Sequence, residues 1–296
     1  MTFDIPSQFA ARVRIDEPLS RHTSWHVGGP ADIFFMPRDR ADLIAFLKIL
    51  PPDVPLLWLG LGSNLLVRDG GVRGVVVSTR DALTALERRG DRDVYAEAGL
   101  PCAKLARQCA RWDLGPAEFF SGIPGTVGGA LAMNAGAFGG ETWPQVRSVE
   151  TVDRHGTVQQ RDAAQFAVSY RHVDAPANDE WFLSATFHFD AGSSEAATRA
   201  LLERRKQTQP IGEWSCGSVF TNPAGDHAAR LIEAAGLKGL RIGGAVVSTK
   251  HANFILNEGA ATARDIEMLI QNVQRQVAER QGCTLTPECR IVGEAA

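Results

Sequence analysis

Apolar residues along this chain recur with two periods, and the alternation between them predicts its elements. Leu43, Ile44, Phe46 and Leu47 fall at helical spacing behind Asp39, a capping residue, and Pro51-Pro52 ends the run. A second helix is predicted from Pro101 to Trp112, with Leu105, Ala106 and Cys109 on one face and Gly115-Pro116 closing it. The strongest periodicity follows Thr262: Ile266, Leu269, Ile270, Val273 and Val277 share a face, and Gly282 stands at the end. The stretch HAARLIEAAG reads as a shorter helix with Gly236 past its C-terminus, and SSEAATRALLERRKQTQP as a charged helix at a module boundary. Alternating patterns predict strands in PLLWL from Pro55, in VYAEAG, in VRSVETVDR, TVQQRD and WFLSATFHFD, and in the tail LTPECRIVG. Residues up to Ser20 read as an extended arm, and Arg21 to Pro37 as two short strands around Gly28-Gly29-Pro30. A strand-loop-strand region leads from Gly236 to Asn257.

The order of these elements divides the chain into modules. Residues 1–80 form a small β-α-β unit, 81–200 an antiparallel sheet with helices, and 201–284 a third, α/β module. A length of 296 residues at 44% hydrophobic content supports a separate core for each. A formal charge of −3 without a long basic run disfavours nucleic acid as partner, because phosphate-backbone binding needs a clustered positive surface. Local cations suffice for a small anionic ligand. Five cysteines, odd in number and without C-x-x-C spacing, disfavour both a disulfide framework and a zinc site, so no metal is expected. Reduced thiols, the absence of a signal pattern in MTFDIPSQFAARV and the lack of a long apolar run predict a cytoplasmic protein without a membrane segment.

Two glycine-rich stretches carry the candidate chemistry. Ser121 to Glu141, SGIPGTVGGALAMNAGAFGGE, holds seven of the chain's 29 glycines. Glycine lets backbone N–H groups approach a ligand closely, and a phosphate is the usual guest of such a loop. The plain alternative, a tight buried turn, suits an isolated glycine pair better than this cluster. The second stretch, Gly60 to Asn64, follows a strand and precedes two short strands broken by Asp69-Gly70-Gly71. It lacks the third glycine and following helix of a Rossmann fingerprint, and no P-loop pattern occurs. The pair therefore predicts one dinucleotide pyrophosphate held by two non-Rossmann loops.

In order along the chain, GLGSN, SGIPGTVGGALAMNAGAFGGE, SYR, GSVFTNP, ARLIEAAGLKG, HANFI and LTPECRIVG resemble the UDP-N-acetylenolpyruvoylglucosamine reductase (MurB) family. The likeness runs from about Thr23 nearly to the C-terminus, and the motifs are specific as an ordered set. It implies an α+β fold: a two-subdomain FAD-binding module of the vanillyl-alcohol-oxidase (PCMH) type and a C-terminal α/β substrate-binding domain, with strand 285–296 returning to the first subdomain. It also implies NADPH as reductant, a UDP-sugar as substrate and a monomeric enzyme of peptidoglycan precursor synthesis. FAD would be held non-covalently by Gly60, Leu61, Gly62, Ser63, Asn64 and Leu65 and by Ser121, Gly122, Ile123, Gly125, Thr126, Gly128 and Gly129.

The resemblance further assigns catalytic roles to Arg171, Ser218 and Glu288, and substrate contacts to Tyr170, Lys206, Asn222 and His251. Chemistry agrees with the first set. Reducing an enolpyruvyl double bond leaves charge on an enolate, which a guanidinium can stabilise and a positioned acid can protonate. Taken singly, each of these residues reads as a surface charge, a turn hydroxyl or a solvated carboxylate. The link from His172 to Glu180 is short and the only tyrosines are Tyr95 and Tyr170, so the chain resembles the branch lacking a tyrosine loop over the uridine. Thr221 stands where the family often has lysine, leaving Lys206 and Lys238 to compensate. Two other readings stay open: a flavin oxidase of the same superfamily, and a non-catalytic nucleotide-binding module.

Overall fold

A computed structural model describes residues 5–177, 179–193 and 195–296. The first four residues of the expected arm, Asn178 in the link after Arg171 and Ser194 in the expected charged helix lie outside the described residues. The chain folds into two compact units. Unit 1 takes the chain up to Ile15, Ile33–Leu61 and Gly74–Glu203; unit 2 takes Asp16–Asp32, Gly62–Arg73 and Arg204–Ala296. The expected 81–200 module thus lies within unit 1, whereas residues 1–80 are shared between both units.

Unit 1 contains two cores. Helix Arg40–Ile49 forms because Asp39 accepts a hydrogen bond from the Asp42 amide at its N-terminus, and it buries Leu43, Phe46 and Leu47. These pack with Phe9, Phe35, Val75 and Val77, where Phe35 and Phe46 stack at 3.8 Å between centroids. Strand Leu56–Leu59 pairs in parallel with Val72–Ser78, and the segment that joins them carries strand Leu65–Val67 and no helix. The second core underlies a five-stranded antiparallel sheet, in the order Val158–Asp162, Val146–Asp153, Glu180–His188, Asp93–Glu97, Leu86–Arg89. One face of this sheet points Val94, Ala96, Val149, Ala185 and Phe187 at helix Cys102–Arg111 and its neighbours. The other presents Tyr95, Glu150 and Ser184, joined by hydrogen bonds, as alternation along a half-buried strand dictates.

Unit 2 is built around helix Ala263–Gln281. Thr262 and Asp265 cap it reciprocally, and Gly282 ends it in the left-handed conformation at φ 66°. Its buried face, Ile266, Leu269, Ile270, Val273 and Val277, packs on helix Ala228–Ala234 and on the three-stranded sheet Arg241–Ile242, Ala245–Val247 and Ile255–Asn257. The tail forms strand Arg290–Val292, which pairs in parallel with Leu65–Val67.

The structure corrects three expectations about elements. The arm contains a 3-10 turn, Ser7–Arg12, and a strand, Val13–Pro18. Of the two strands expected in 21–37 only Pro30–Phe35 forms. Trp25 lies in a turn region instead, fully buried, with its indole N–H donating to the Ile255 carbonyl at 2.8 Å, so its apolar neighbours signal burial rather than pairing. The long glycine stretch is largely ordered as a 3-10 turn Glu118–Gly122, a short helix Val127–Ala132 and a hairpin of Gly136–Ala137 with Gly140–Glu141.

Candidate functional site

Gly60 and Leu61 lie in unit 1 with the second glycine stretch, whereas Gly62 to Asn64 belong to unit 2. A Cβ on Gly60 would lie 2.6 Å from Thr126 Oγ1, so the first loop runs against the second only because it starts with glycine. Among the described residues, the amides of Gly60, Leu61, Gly62 and Ser63 have no acceptor within the chain, and the same holds for Gly125 and Thr126. Gly62 is buried at φ 61°, and a Cβ there would come within 2.0 Å of the His22 carbonyl. A buried amide without an acceptor is costly unless an external acceptor satisfies it. Within unit 1 the amides of Gly60, Leu61, Gly125 and Thr126 are therefore the kind of donor a pyrophosphate requires, and these residues fit a dinucleotide.

Other members of the expected cofactor set have internal partners. The Gly128 amide donates to the Ala98 carbonyl at 2.8 Å, and a Cβ would sit 2.9 Å from Ala98 Cβ, which explains this glycine by packing. Gly129 donates to Thr126 Oγ1 at 3.3 Å, the N-cap of the short helix. The Ser121 hydroxyl donates to the Glu118 carbonyl at 2.6 Å, Ile123 N–H donates to the Phe120 carbonyl, and Gly122 packs on Ala137 and Phe138. In unit 2, Asn64 brackets the tail: its Nδ2 donates to the Glu288 carbonyl at 3.1 Å and its carbonyl accepts from Arg290 N–H at 2.9 Å. Leu65 opens the strand that pairs with Arg290. One residue went unnoticed in the sequence. Ser24 donates its amide to the Gly62 carbonyl at 3.2 Å, and its hydroxyl is buried without a partner among the described residues. Only proximity to GLGSN in three dimensions reveals it.

Arg171 occupies the two-residue loop of a hairpin whose strands are Ala167–Ser169 and His172–Asp174, at φ 58°. Its Nη2 donates to the Gly136 carbonyl at 2.9 Å and its Nη1 to the Asn134 carbonyl at 3.3 Å, both in the second glycine stretch. Tyr170 is largely exposed, with the guanidinium carbon of Arg171 5.0 Å from its ring centroid.

In unit 2 the segments carrying Ser218 and Glu288 run side by side. Glu288 N–H donates to the Val219 carbonyl at 2.7 Å, Thr221 N–H to the Thr286 carbonyl at 3.0 Å, and Phe220 bridges Pro287. Asn253, buried in HANFI, clamps the Ser218 segment: its Oδ1 accepts from Phe220 N–H and its Nδ2 donates to the Phe220 carbonyl. Cys216 and Cys289 flank the pair, and burial together with the neighbouring Cys289 thiol pushes the Cys216 thiol well above its ordinary range.

The expected substrate residues are dispersed through the units. Asn222 is exposed, with its Oδ1 accepting from Ala228 N–H at the start of helix Ala228–Ala234. His251 is lowered in pKa by burial, so it is held neutral, and its Nδ1 is buried without a partner among the described residues. Lys206 is exposed in helix Glu195–Thr208, where its carbonyl accepts from Lys250 Nζ at 2.6 Å. Lys238 pairs with Glu233 at 2.7 Å. Arg205, beside Lys206, is the more buried cation of the two, its pKa lowered by desolvation. Among the described residues no cluster of His, Cys, Asp or Glu could hold a metal, and no helix is long and apolar enough to cross a membrane.

Comparison with known proteins fits this donor set and these motifs. Residues 31–161 match the FAD binding domain family, and 209–292 match the C-terminal domain of UDP-N-acetylenolpyruvoylglucosamine reductase. The reductase of Alkalilimnicola ehrlichii is 60% identical over 282 residues, covering 94% of each chain; that of Methylococcus capsulatus is 58% identical, covering 94% of this chain and 92% of its own. The crystal structure of UDP-N-acetylenolpyruvylglucosamine reductase (MurB) from Thermus caldophilus superposes with a TM-score of 0.79 at 32% identity, covering 94% of this chain and 99% of that one. The fold is accordingly the expected α+β FAD-binding module with a C-terminal domain, and the chain belongs to the UDP-N-acetylenolpyruvoylglucosamine reductase family.

Proposed function

We propose that this protein is an NADPH-dependent flavoprotein that reduces the enolpyruvyl group of UDP-N-acetylenolpyruvoylglucosamine to UDP-N-acetylmuramate, with Arg171, Ser218 and Glu288 as its catalytic residues. The observation that carries the reaction is the pairing of an FAD-binding domain and this reductase's own C-terminal domain in one chain 60% identical to a named reductase. When bound, the flavin supplies the hydride, drawn from NADPH, that saturates the enolpyruvyl double bond.

The chain's residues do the rest. The amides of Gly60, Leu61, Gly125 and Thr126 would hold the pyrophosphate. Arg171 sets its positive charge beside the substrate carboxylate, where charge develops as the double bond is reduced, and a fixed guanidinium there lowers the barrier without reorganising. The Ser218 hydroxyl delivers the proton to the carboxylate-bearing carbon. A hydroxyl is a weak acid, so a strongly basic carbanion or a relay must draw the proton from it, and Glu288 on the adjoining segment supports it. Tyr170, Lys206, Asn222 and the neutral His251 contact the UDP-sugar, with the half-buried Arg205 joining Lys206 as a diphosphate cation in place of the lysine absent at Thr221. The functional division is the three-module one, 1–80 with 285–296, 81–200 and 201–284, in a cytoplasmic monomer without a tyrosine loop over the uridine.

The test is optical. The purified protein should be yellow, its visible flavin band should bleach with NADPH and return on adding the enolpyruvyl UDP-sugar without oxygen. A flavin that bleaches yet returns only in air would support an oxidase instead.

A further inference from the structure

The Arg171 guanidinium is held by two backbone carbonyls, and one of them belongs to Asn134. Asn134 is 1% exposed, and its side chain makes three hydrogen bonds, with both amide donors used. Nδ2 donates to Glu141 Oε2 at 3.0 Å and to the Ser169 carbonyl at 3.1 Å, and Oδ1 accepts from Trp143 N–H at 3.1 Å. Ser169 stands at the base of the hairpin loop that carries Arg171, two residues upstream. Asn134 therefore grips that hairpin by its backbone while its own carbonyl accepts from the tip of the arginine. The backbone at Asn134 is left-handed, φ 45°, a conformation that asparagine tolerates better than most residues. The second carbonyl belongs to Gly136, where a Cβ would come within 2.3 Å of the Gly140 carbonyl and 3.1 Å of Arg171 Nη1. A side chain at Gly136 would collide with the Gly140 backbone and crowd the guanidinium.

We propose that Asn134 is a positioning residue for the reduction step: it preorganises a seat of two carbonyls into which the Arg171 guanidinium locks. This inference rests on the catalytic assignment of Arg171 above. The reasoning is that a planar cation on a long, rotamer-rich stem stabilises developing charge only if its plane is set beforehand. Two carbonyl acceptors set the plane, and a side chain with three satisfied hydrogen bonds keeps the Asn134 carbonyl from relaxing. A misplacement of about 1 Å in such a group costs on the order of 100-fold in rate.

The test separates the side chain of Asn134 from its backbone. Asn134→Gly keeps the left-handed conformation and the carbonyl but removes all three side-chain bonds. Asn134→Asp keeps the acceptor for Trp143 and removes the donors to Glu141 and Ser169. Both are compared with Arg171→Ala by stopped-flow absorbance of the flavin in each half-reaction, after flavin content and melting temperature have identified folded holoenzyme. Asn134→Gly and Asn134→Asp should slow the substrate half-reaction at saturation by about 10- to 100-fold, with substrate affinity changed less and reduction by NADPH within about two-fold of normal. A second readout is chemical rescue. Guanidinium ion added to Arg171→Ala should restore part of the lost rate by entering the carbonyl seat, and should fail to do so in Arg171→Ala with Asn134→Gly. Equal slowing of both half-reactions, normal rates in both Asn134 variants, or equal rescue in both backgrounds would overturn the proposal while leaving Arg171 in place. An unchanged rate in Arg171→Ala itself would remove the catalytic assignment and the proposal together.

Discussion

Glu150 in the middle of the five-stranded sheet accepts a two-pronged hydrogen bond from Arg40, at 2.9 Å to each oxygen, and so ties helix Arg40–Ile49 to the sheet within unit 1. It also accepts from Ser184 Oγ at 2.6 Å and from the Tyr95 hydroxyl at 3.4 Å. The side chains are 30% and 25% exposed, so neither water nor a dry interior governs the pair. At an effective dielectric of about 20, unit charges about 4 Å apart attract by about 4 kcal/mol, and partial desolvation offsets much of this. The net coupling between Arg40 and Glu150 should be about 1–2 kcal/mol, the range for forked, charge-assisted bonds. The two single variants should differ. Arg40 is the first residue of its helix, where the dipole disfavours a cation by about 0.3–1 kcal/mol, so Arg40→Gln recovers part of its loss. Glu150→Gln has no such relief and should cost about 2 kcal/mol. The assay is a double-mutant cycle by urea denaturation of the holoenzyme, followed by tryptophan fluorescence. Its pH dependence has a definite sign. The Arg40 fork holds the Glu150 carboxyl below its ordinary value of 4.5, so the coupling is fully present above that value and is lost as pH falls through the folded-state pKa. A coupling under about 0.5 kcal/mol at pH 7, or one that survives acidification, would refute the reasoning.

Ser218→Ala should leave flavin binding and NADPH-dependent reduction intact and slow the substrate half-reaction by about 10²- to 10⁴-fold; equal slowing of both phases would make Ser218 a shaping residue and Glu288 the better acid. Gly128→Ala should destabilise by about 1–3 kcal/mol, despite the better helix propensity of alanine, because its Cβ would meet Ala98 Cβ at 2.9 Å; a raised melting temperature would contradict this. Flavin should leave the chain completely on acid precipitation, since neither glycine loop offers a histidine or cysteine for attachment, and yellow pellet would disprove non-covalent binding. Burial raises Cys102, pushes Cys109 up to about 12 and holds Cys216 high, while Cys289 is buried and Cys283 is only half-buried. Titration of the native protein at pH 8 with an aromatic disulfide should therefore show one fast thiol, that of Cys283, and two or more fast thiols would show that the interior opens.

The elements read best from the sequence are those whose stability is local. Helices Arg40–Ile49 and Ala263–Gln281 carry their own caps, in Asp39 and in Thr262 with Asp265, and one apolar face each, so a window of a few turns holds the information that forms them. The alternating strands from Val146 to His188 were legible for the same reason, as was the need for close backbone approach in the two glycine stretches. The turn around Trp25 was misread because burial against Ile255, some 230 residues away, and not strand pairing, explains its apolar residues. The glycines themselves divide by reasons that no local pattern separates: Gly60 and Gly62 leave amides without acceptors, whereas Gly128 is small because Ala98 is close. Asn134 is the clearest case of what tertiary structure alone decided. In the sequence it is one polar residue between a methionine and an alanine, and nothing about that position announces a left-handed backbone or a hold on a hairpin 35 residues downstream. Hydrogen bonds of that reach depend on where packing brings the chain back on itself, and so they exist only once the cores have formed.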